Sequence, residues 1–369
     1  MHNRICKVLK FTTCAILGFA MAAHAQSRLA LQPGSGGAFA TFDIPGAGTH
    51  PNQGTIPRGM NSSGVATGYY IDNNGAYHGF RIGLDGSFVT FDAPGAGTGF
   101  NQGTQPYDIS PDGTIVGFVY DSSGIRHGFQ RAPDGTFVDT PPLTSINAAG
   151  WTGGFQSDAN GAAHAYVRSP DGVLFPFDVL GAGTGNGQGT FLCPGCINDE
   201  DDAGYATGHY IDSNNVAHGF IRSADGTIVT FLDGPGEAGW ASKINNLGRA
   251  CGYSLDANDV KHGFIRNADG SMVAPIDDPF AGTGSGQGTW AYSLNDLGVV
   301  LGYYLDSAYI SHGFIRSVAG TYKTLDAPGA GTVSGGTFAQ KIINSGLVVG
   351  NYVDNNAVQH GYYWISSTL

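Results

Sequence analysis

The chain has 369 residues, with 29 acidic and 17 basic side chains, so its formal charge at neutral pH is −12. This acidic balance argues against nucleic-acid binding, because the neutralisation of phosphates requires a basic surface. Only 12% of the residues are charged whereas 60 are glycine, a composition typical of short strands joined by tight turns.

Residues 1–25 have the pattern of a secretory signal peptide. A basic start is followed by a short apolar stretch at residues 11–22 and by small residues suited to cleavage at 23–25. The apolar stretch is too short to span a bilayer, and no later stretch is long enough. We therefore expect a secreted protein, extracellular or periplasmic and without membrane insertion, in which residues 26–35 form a short linker.

From residue 36 onward one pattern occurs seven times. Each copy has a glycine, an Asp four residues later and a His six residues after the Asp, and the His is followed by Gly or Ala and then by Phe or Tyr. The Asp/His pairs are Asp72/His78, Asp121/His127, Asp158/His164, Asp212/His218, Asp256/His262, Asp306/His312 and Asp354/His360. An active site needs unlike groups at one point, so we interpret these residues as hairpin residues whose Asp accepts the N–H groups of the turn.

Each copy predicts four antiparallel strands. In the first copy, residues 65–72 and 77–82 are rich in β-formers, with turn formers between them, and an Asp-Gly turn leads into an alternating strand at 87–91. A further short strand precedes the first glycine of each copy. One four-stranded sheet per repeat predicts an all-β, seven-bladed β-propeller over residues 36–369.

The two ends of the repeat region are complementary. The region begins with a strand of the fourth type at residues 38–43 and ends after a strand of the third type at residues 360–365. We predict that the N-terminal strand completes the last blade, because this closes the ring and removes exposed sheet edges. An open solenoid would need polar capping repeats, and the sequence shows none.

The succession Ile-Asn-x-x-Gly, Val-x-Gly, Asp and His-Gly-Phe resembles the bacterial extracellular HAF-repeat family, named for its His-Ala-Phe tripeptide. The resemblance covers about residues 36–369, although five copies read His-Gly-Phe, one His-Ala-Tyr and one His-Gly-Tyr. The family often has Trp two residues later; Trp364 matches, and arginine takes the position in five copies (Arg131, Arg168, Arg222, Arg266 and Arg316). The resemblance implies secretion and a repetitive β fold, and it carries no catalytic residues.

The copies differ most along the first strand of each repeat, which lines the central channel of a propeller. Four consecutive copies open this strand with an aromatic residue, and other copies carry cations or tyrosines further along. We predict a ligand-binding site at the channel mouth, formed by Arg58, Tyr107, Phe191, Trp240, Lys243, Trp290, Tyr292, Phe338 and Lys341. Rings and cations together suit an anionic polysaccharide or a cell-surface partner. In the alternative interpretation, the aromatic residues wedge neighbouring blades together and the lysines are solvated.

Three functions remain open at this point. We expect a binding protein without catalytic residues, metal or cofactor. One alternative is a polysaccharide lyase, with Tyr107 or Tyr292 as the base and Arg58, Lys243 or Lys341 neutralising the uronate carboxylate. The other is a structural protein of the envelope or matrix.

The fourth copy has two further features. Cys193-Pro194-Gly195-Cys196 predicts a small disulfide loop in an oxidising compartment, with a metal or redox site as the alternative. Asp199-Glu200-Asp201-Asp202 predicts a solvated acidic loop, with calcium binding as the alternative. Cys251 lies within a predicted strand, where we expect a small buried hydrophobe.

Overall fold

A computed structural model describes residues 29, 31–34, 37–197, 205–231 and 238–366. Within these residues the chain is all-β and contains no helix. The predicted signal peptide, half of the predicted linker (residues 26–28, 30 and 35) and the acidic segment 199–202 lie outside the described residues.

The described residues form short strands throughout. In chain order the strands are β1 (Leu31–Gly34), β2 (Gly37–Phe42), β3 (Gly54–Met60), β4 (Ala66–Ile71), β5 (Tyr77–Ile82), β6 (Phe88–Phe91), β7 (Gly103–Ile109), β8 (Ile115–Tyr120), β9 (Arg126–Arg131), β10 (Phe137–Thr140), β11 (Leu143–Ile146), β12 (Thr152–Ser157), β13 (Ala163–Arg168), β14 (Leu174–Phe177), β15 (Gly189–Ile197), β16 (Ala206–Ile211), β17 (Ala217–Arg222), β18 (Ile228–Thr230), β19 (Ala238–Ile244), β20 (Ala250–Leu255), β21 (Lys261–Arg266), β22 (Met272–Ile276), β23 (Gly288–Leu294), β24 (Val300–Leu305), β25 (Ser311–Arg316), β26 (Tyr322–Leu325), β27 (Gly336–Ile342), β28 (Val348–Val353) and β29 (Gln359–Ser366).

Antiparallel pairing groups consecutive strands into sets of four. β3 pairs with β4, β4 with β5 and β5 with β6, and the same order recurs in β7–β10, β11–β14, β15–β18, β19–β22 and β23–β26. Some sets are joined by a single parallel bridge, such as Tyr77 opposite Gly103. Followed through all pairings, the strands form one 21-stranded and one 8-stranded network.

The last set combines strands from both ends of the described chain. β27 pairs with β28 and β28 with β29. The other side of β29 pairs antiparallel with β2, from Gly37 opposite Ser366 to Phe42 opposite Gly361. β1 adds one more antiparallel strand beyond β2. The first strands of the described chain therefore belong to the same sheet as the last.

The repeated Asp residues stabilise the turn between the second and third strands, as the sequence predicts. Asp72 Oδ1 accepts hydrogen bonds from the backbone N–H groups of Asn74 at 2.8 Å and Ala76 at 2.9 Å. Gly75 supplies the left-handed backbone of the turn, with φ 80°. In the other six copies the equivalent Asp accepts the same two bonds.

Each repeated His lies beside the Asp of its own turn, with N···O distances of 3.0 to 3.8 Å. In five copies the other ring nitrogen meets a second Asp that follows the outer strand. For His360 this second partner is Asp43, which directly follows β2, at 3.0 Å. The hydrogen bond to Asp43 raises the pKa of His360 against the opposing effect of burial. The Asp–His groups therefore join strands within a sheet, and one of them joins both ends of the described chain.

The apolar core lies between neighbouring sets of strands. Its fully buried members include the Phe or Tyr that follows each repeated His, such as Phe80 and Phe314. Two residues further along, an arginine reaches the outer strand of the preceding set: the Arg131 guanidinium lies 4.7 Å from the ring centre of Phe91. Trp364 takes the same position in the last set and is 2% exposed. Arg131 therefore occupies the space between sheets that Trp364 fills in the last set.

Asparagine amides connect successive sets at the end of their first strands. Asn61 Nδ2 donates to the carbonyl of Ser110, and Asn295 Nδ2 donates to the carbonyl of Ile343, each in the next set. The side-chain oxygen of each Asn accepts N–H bonds from its own turn. The Ile-Asn turns of the sequence thus contribute both to the local turn and to the contact between sheets.

Candidate functional site at the first strands

The first strands of the sets (β3, β7, β11, β15, β19, β23 and β27) lie against one another, and β27 also lies against β3. Each contains a break in register at the same point. The bulge residue is Arg58 in β3, Tyr107 in β7 and Tyr292 in β23; in β11, β19 and β27 it is Thr144, Ser242 and Gln340. A β-bulge re-aims one side chain relative to the regular alternation. Three predicted site residues therefore occupy equivalent bulges.

Arg58 is the central cation of this group. Its guanidinium carbon lies 5.4 Å from the ring centre of Tyr69 and 5.7 Å from that of Tyr107, and Nη2 donates a 2.8 Å hydrogen bond to Tyr69 Oη. The Nε atom is buried and has no hydrogen-bond partner. Among the residues that the structure describes, no carboxylate oxygen lies within 4.0 Å of the guanidinium. The positive charge is therefore not neutralised by an ion pair within the described chain.

The charge states of this group are fixed by its surroundings. Burial alone would lower the pKa of Arg58, but Tyr69, Tyr107 and Tyr292 raise it above its usual range. Burial raises the pKa of Tyr107 and of Tyr303. Arg58 is thus a permanent cation, and these two phenols remain neutral hydrogen-bonding groups.

Aromatic rings form a continuous series across the other sets. Within a set the residue that opens the first strand stacks on its cross-strand partner: Trp240 on Tyr253 at 5.2 Å and Trp290 on Tyr303 at 5.0 Å between ring centres. Between sets each pair touches the next, so the series runs Phe155, Phe191, His209, Trp240, Tyr253, Trp290, Tyr303 and Phe338. We call these eight residues the aromatic belt. All eight are partly exposed, so they both connect neighbouring sets and present surface.

His209 is the titratable member of the aromatic belt. Its ring stacks on Phe191 with centres 5.1 Å apart and planes 8° apart. Burial lowers the pKa of His209 to about 4. The imidazole is therefore neutral at neutral pH, with one nitrogen able to donate and the other able to accept a hydrogen bond.

The position that follows each bulge is buried. We call these residues the basal layer: Gly59, Asp108, Ser145, Cys196, Lys243, Ser293 and Lys341. Lys341 Nζ lies 3.6 Å from Asp108 Oδ1, and neither side chain is more than 5% exposed. The lack of a side chain at Gly59 makes this contact possible, because a Cβ there would lie 2.8 Å from the Asp108 backbone. Oxygen atoms of Asp108, Ser145 and Ser293 accept backbone N–H bonds from the neighbouring first strand.

Cys193 and Cys196 form the predicted disulfide. In β15 four residues lie between the paired residues Leu192 and Ile197, where the matching interval of β19, between Ala241 and Ile244, contains two. The resulting loop touches both neighbours, because Cys196 N donates to Ser145 Oγ at 2.6 Å and Gly195 lies against Lys243 Nζ. Cys251 is buried with a free thiol, as expected, and burial raises its pKa to about 12.

The structure divides the nine predicted site residues into groups. Arg58, Tyr107 and Tyr292 lie together at the bulges, and Phe191, Trp240, Trp290 and Phe338 belong to the aromatic belt. Lys243 and Lys341 lie apart from both groups, 6% and 4% exposed in the basal layer. The predicted set lacks Tyr69, Phe155, His209, Tyr253 and Tyr303, which come from second strands. The sequence feature that could have identified them is their position directly after the repeated glycine, because that position lies opposite the residue that opens the first strand.

The described residues contain no group of three or more His, Cys, Asp or Glu side chains placed to hold a metal ion. Nor do they include a helix that is long and apolar enough to cross a membrane.

Comparison with known proteins gives a likeness of fold. No protein-family model matches the chain, and no curated protein matches it in sequence. Among solved structures, an acylaminoacyl peptidase of Pyrococcus horikoshii is 11% identical with a TM-score of 0.51; the match covers 86% of this chain and 52% of the peptidase. The chain thus spans about half the length of that enzyme.

Lectins of known structure are also similar. The Aleuria aurantia lectin, a fungal six-bladed β-propeller that recognises fucose, is 12% identical with a TM-score of 0.40, over 77% of this chain and 96% of the lectin. A lectin of Burkholderia pseudomallei is 13% identical with a TM-score of 0.38, over 81% and 98%. The peptidase match has a TM-score of 0.51, and at 11% identity the likeness concerns the fold alone.

Proposed function

We propose that the strand sets are the blades of one closed, seven-bladed β-propeller in which β2 is the outer strand of the last blade. The pairing of β2 with β29 supports this arrangement, as does the bond between His360 and Asp43. The contacts of each first strand with the next, including β27 with β3, support a common central channel. In such a channel the bulge residues and the aromatic belt would face one enclosed space.

We further propose that the protein binds an anionic polysaccharide in this channel. The observation that carries the proposal is Arg58, a permanent cation without a carboxylate partner among the described residues, held against Tyr69 and Tyr107. A guanidinium fork matches the two oxygens of a carboxylate or sulfate. Partly exposed rings of the aromatic belt offer apolar surface to the faces of sugar rings, and tyrosine hydroxyls and His209 offer hydrogen bonds to sugar hydroxyls.

Binding fits this arrangement better than catalysis. A lyase needs a base that removes the proton beside the uronate carboxylate, and its pKa should lie near the working pH. Burial raises the pKa of Tyr107 instead, and Lys341 is engaged with Asp108 in the basal layer. Among the described residues the site therefore offers a cation for the carboxylate, and burial makes Tyr107 poorly matched to the role of base.

The proposed ligand agrees with the location predicted from the sequence. Acidic polysaccharides occur outside the cytoplasm, and we propose that the protein acts there after export and belongs with the HAF-repeat proteins it resembles. N-terminal sequencing of the protein recovered from culture medium or periplasm tests the export step. Cleavage after Ala25 would support it, whereas an intact N-terminus in the cytoplasm would contradict it.

The binding proposal is tested with a glycan array followed by titration calorimetry. The array covers uronate, sulfated and neutral polysaccharides, and the best soluble oligomer is titrated into the wild type, Arg58→Gln and Arg81→Gln. Loss of one charge-assisted hydrogen-bonding group costs about 1.5–3 kcal/mol, which corresponds to about 10- to 100-fold in Kd. We expect this loss for Arg58→Gln, while Arg81→Gln, which removes an equal charge from β5, stays within about twofold. Absence of binding to every acidic glycan, or equal affinity of Arg58→Gln and wild type, would refute the proposal.

A further inference from the structure

The channel is closed at one end by its own side chains. This follows from the contrast between two successive positions of the first strands. At the bulge Arg58, Tyr107, Ser242 and Tyr292 are partly exposed and Thr144 and Gln340 are buried, whereas one residue further every member of the basal layer is buried. Water that reaches the bulge residues therefore does not pass the basal layer.

Specific contacts hold the basal layer together around the ring of first strands. Lys341 of β27 reaches Asp108 of β7 past Gly59 of β3, so three consecutive first strands are tied by one buried ion pair. Asp108 Oδ2 in turn accepts the N–H of Ile146 in β11 at 3.2 Å. Opening a path here would strip a buried lysine or carboxylate of its partner, which is costly in a low-dielectric interior.

The disulfide loop fills the remaining side of the basal layer. It places four residues between Leu192 and Ile197, where the matching interval of the other first strands contains two. The Thr144 hydroxyl donates to the Cys193 carbonyl on one side, and Gly195 meets Lys243 Nζ on the other. The strand that carries the loop, β15, also contacts β7, which belongs to a set two positions away. The loop thus reaches inward from its own set.

A separate opening lies beyond the basal layer. It has a volume of about 90 Å³ and is lined by residues at the far ends of the first strands and their turns, among them Asn61, Asn246, Asp296 and Asn344. Lys341 also lines it, whereas Arg58 and the aromatic belt do not. The two ends of the first strands are therefore separate spaces, divided by the basal layer.

From this geometry we infer that the protein recognises the end of an acidic sugar chain and does not bind along its length. The inference rests on the proposed function. From the opening residue of a first strand to the basal layer is three residues, or about 10 Å at 3.3 Å per residue. A blind space of that depth admits roughly one or two sugar rings, and the next rings of a polymer must leave through the aromatic belt.

The test uses oligogalacturonates of defined length and pectate of the same chemistry as the probes, on the unaltered protein. Affinity should rise from the monomer to the dimer or trimer and then stay constant within about twofold. Pectate should compete with the bound oligomer in proportion to its number of chain ends. Because a gram of longer chains has fewer ends, the inhibition per gram of pectate should fall in proportion to mean chain length. Calorimetry should give the same number of protein molecules per chain for short and long oligomers.

The outcomes separate the two proposals. If uronate oligomers bind but potency per gram is the same for oligomer and polymer, or several proteins load onto one long chain, end recognition is wrong while acidic-glycan binding stands. If neither oligomer nor polymer binds, the end-recognition inference is overturned, and the proposed function is refuted with it only when the sulfated glycans of the array also fail to bind. A constant number of proteins per chain together with loss of potency per gram supports both.

Discussion

Removing Lys341 should destabilise the fold strongly, because it leaves a charge without its partner inside the protein. Asp108 is 0% exposed and Lys341 4% exposed, with 3.6 Å between Nζ and Oδ1. Loss of one member of a buried pair typically costs about 3–5 kcal/mol. An unfolding entropy of about 2.1 cal/mol/K per residue over roughly 320 ordered residues gives about 1.5 °C per kcal/mol. Lys341→Met should therefore lower Tm by about 4–8 °C.

Differential scanning calorimetry with two further variants isolates the charge. The double variant Lys341→Met/Asp108→Asn leaves no unpaired charge from this ion pair, and the Asn side chain can still accept the N–H of Ile146. Its Tm should therefore lie closer to that of the wild type, with at least half of the decrease seen in Lys341→Met reversed. Lys261→Met is the comparison variant, because its partner Asp259 lies 3.8 Å away but is 53% exposed; its Nζ also lies 5.3 Å from the ring centre of Trp290. An exposed pair contributes about 0.2–1 kcal/mol and a cation–π contact about 0.5–1 kcal/mol, so Tm should fall by only about 1–3 °C. A Tm for Lys341→Met equal to that of the comparison variant, or no recovery in the double variant, would refute the buried pair and the closed basal layer.

Three other properties can be measured by thermal unfolding. Asn295→Ala removes an amide that joins two sets and also caps its own turn; it should cost about 2–3 kcal/mol, and a change below about 0.5 kcal/mol would contradict the role. Reduction of the Cys193–Cys196 disulfide should lower the free energy of unfolding by about 2 kcal/mol on a loop-closure estimate. The stability of a Cys193→Ser/Cys196→Ser variant should not change when the reductant is added. The hydrogen bond to Asp326 raises the pKa of His312 in the folded protein. Protonated His312 therefore stabilises the fold fully below the pKa of about 6.5 that histidine has in the unfolded chain, and this contribution is lost as the pH rises through the higher pKa of the folded protein. Stability of the wild type should fall across this window more than that of His312→Gln; equal slopes would contradict it.

The hairpins were predictable because their determinants are local. Asp72 accepts N–H bonds two and four residues further along the chain, so the turn is encoded within one short segment. The His partner is six residues away and lies opposite Tyr70 across the same hairpin. A fixed spacing in the sequence therefore translates directly into a fixed contact in the structure.

The placement of the lysines was not predictable from alternation. In a regular strand side chains alternate between the two faces. Lys243 and Lys341, three residues after the aromatic residue that opens the strand, would then lie on the opposite face from that ring. The bulge at Ser242 and Gln340 adds a residue and shifts the pattern by one, so both lysines enter the basal layer. The bulge shows only in the register with the neighbouring strand, which is not a property of the strand's own sequence.

The aromatic belt could be predicted only in part, because it is built from cross-strand pairs that the sequence of one strand does not reveal. Half of its eight members belong to second strands. Two of these, His209 and Tyr253, lie across the hairpin from the aromatic residue that opens the first strand. Aligning the opening residue of each first strand with the residue after the repeated glycine would have identified them. The contacts between sets, such as Tyr253 with Trp290, need the three-dimensional arrangement of the repeats.

The central claim is that Arg58 receives the acidic group of a sugar inside the channel. A crystal structure of the protein with a bound uronate dimer or trimer tests it most directly. We predict a carboxylate within hydrogen-bond distance of the Arg58 guanidinium, with the next sugar ring against the aromatic belt. A ligand bound on the outer faces of the sheets, or in the opening beyond the basal layer, would contradict the claim.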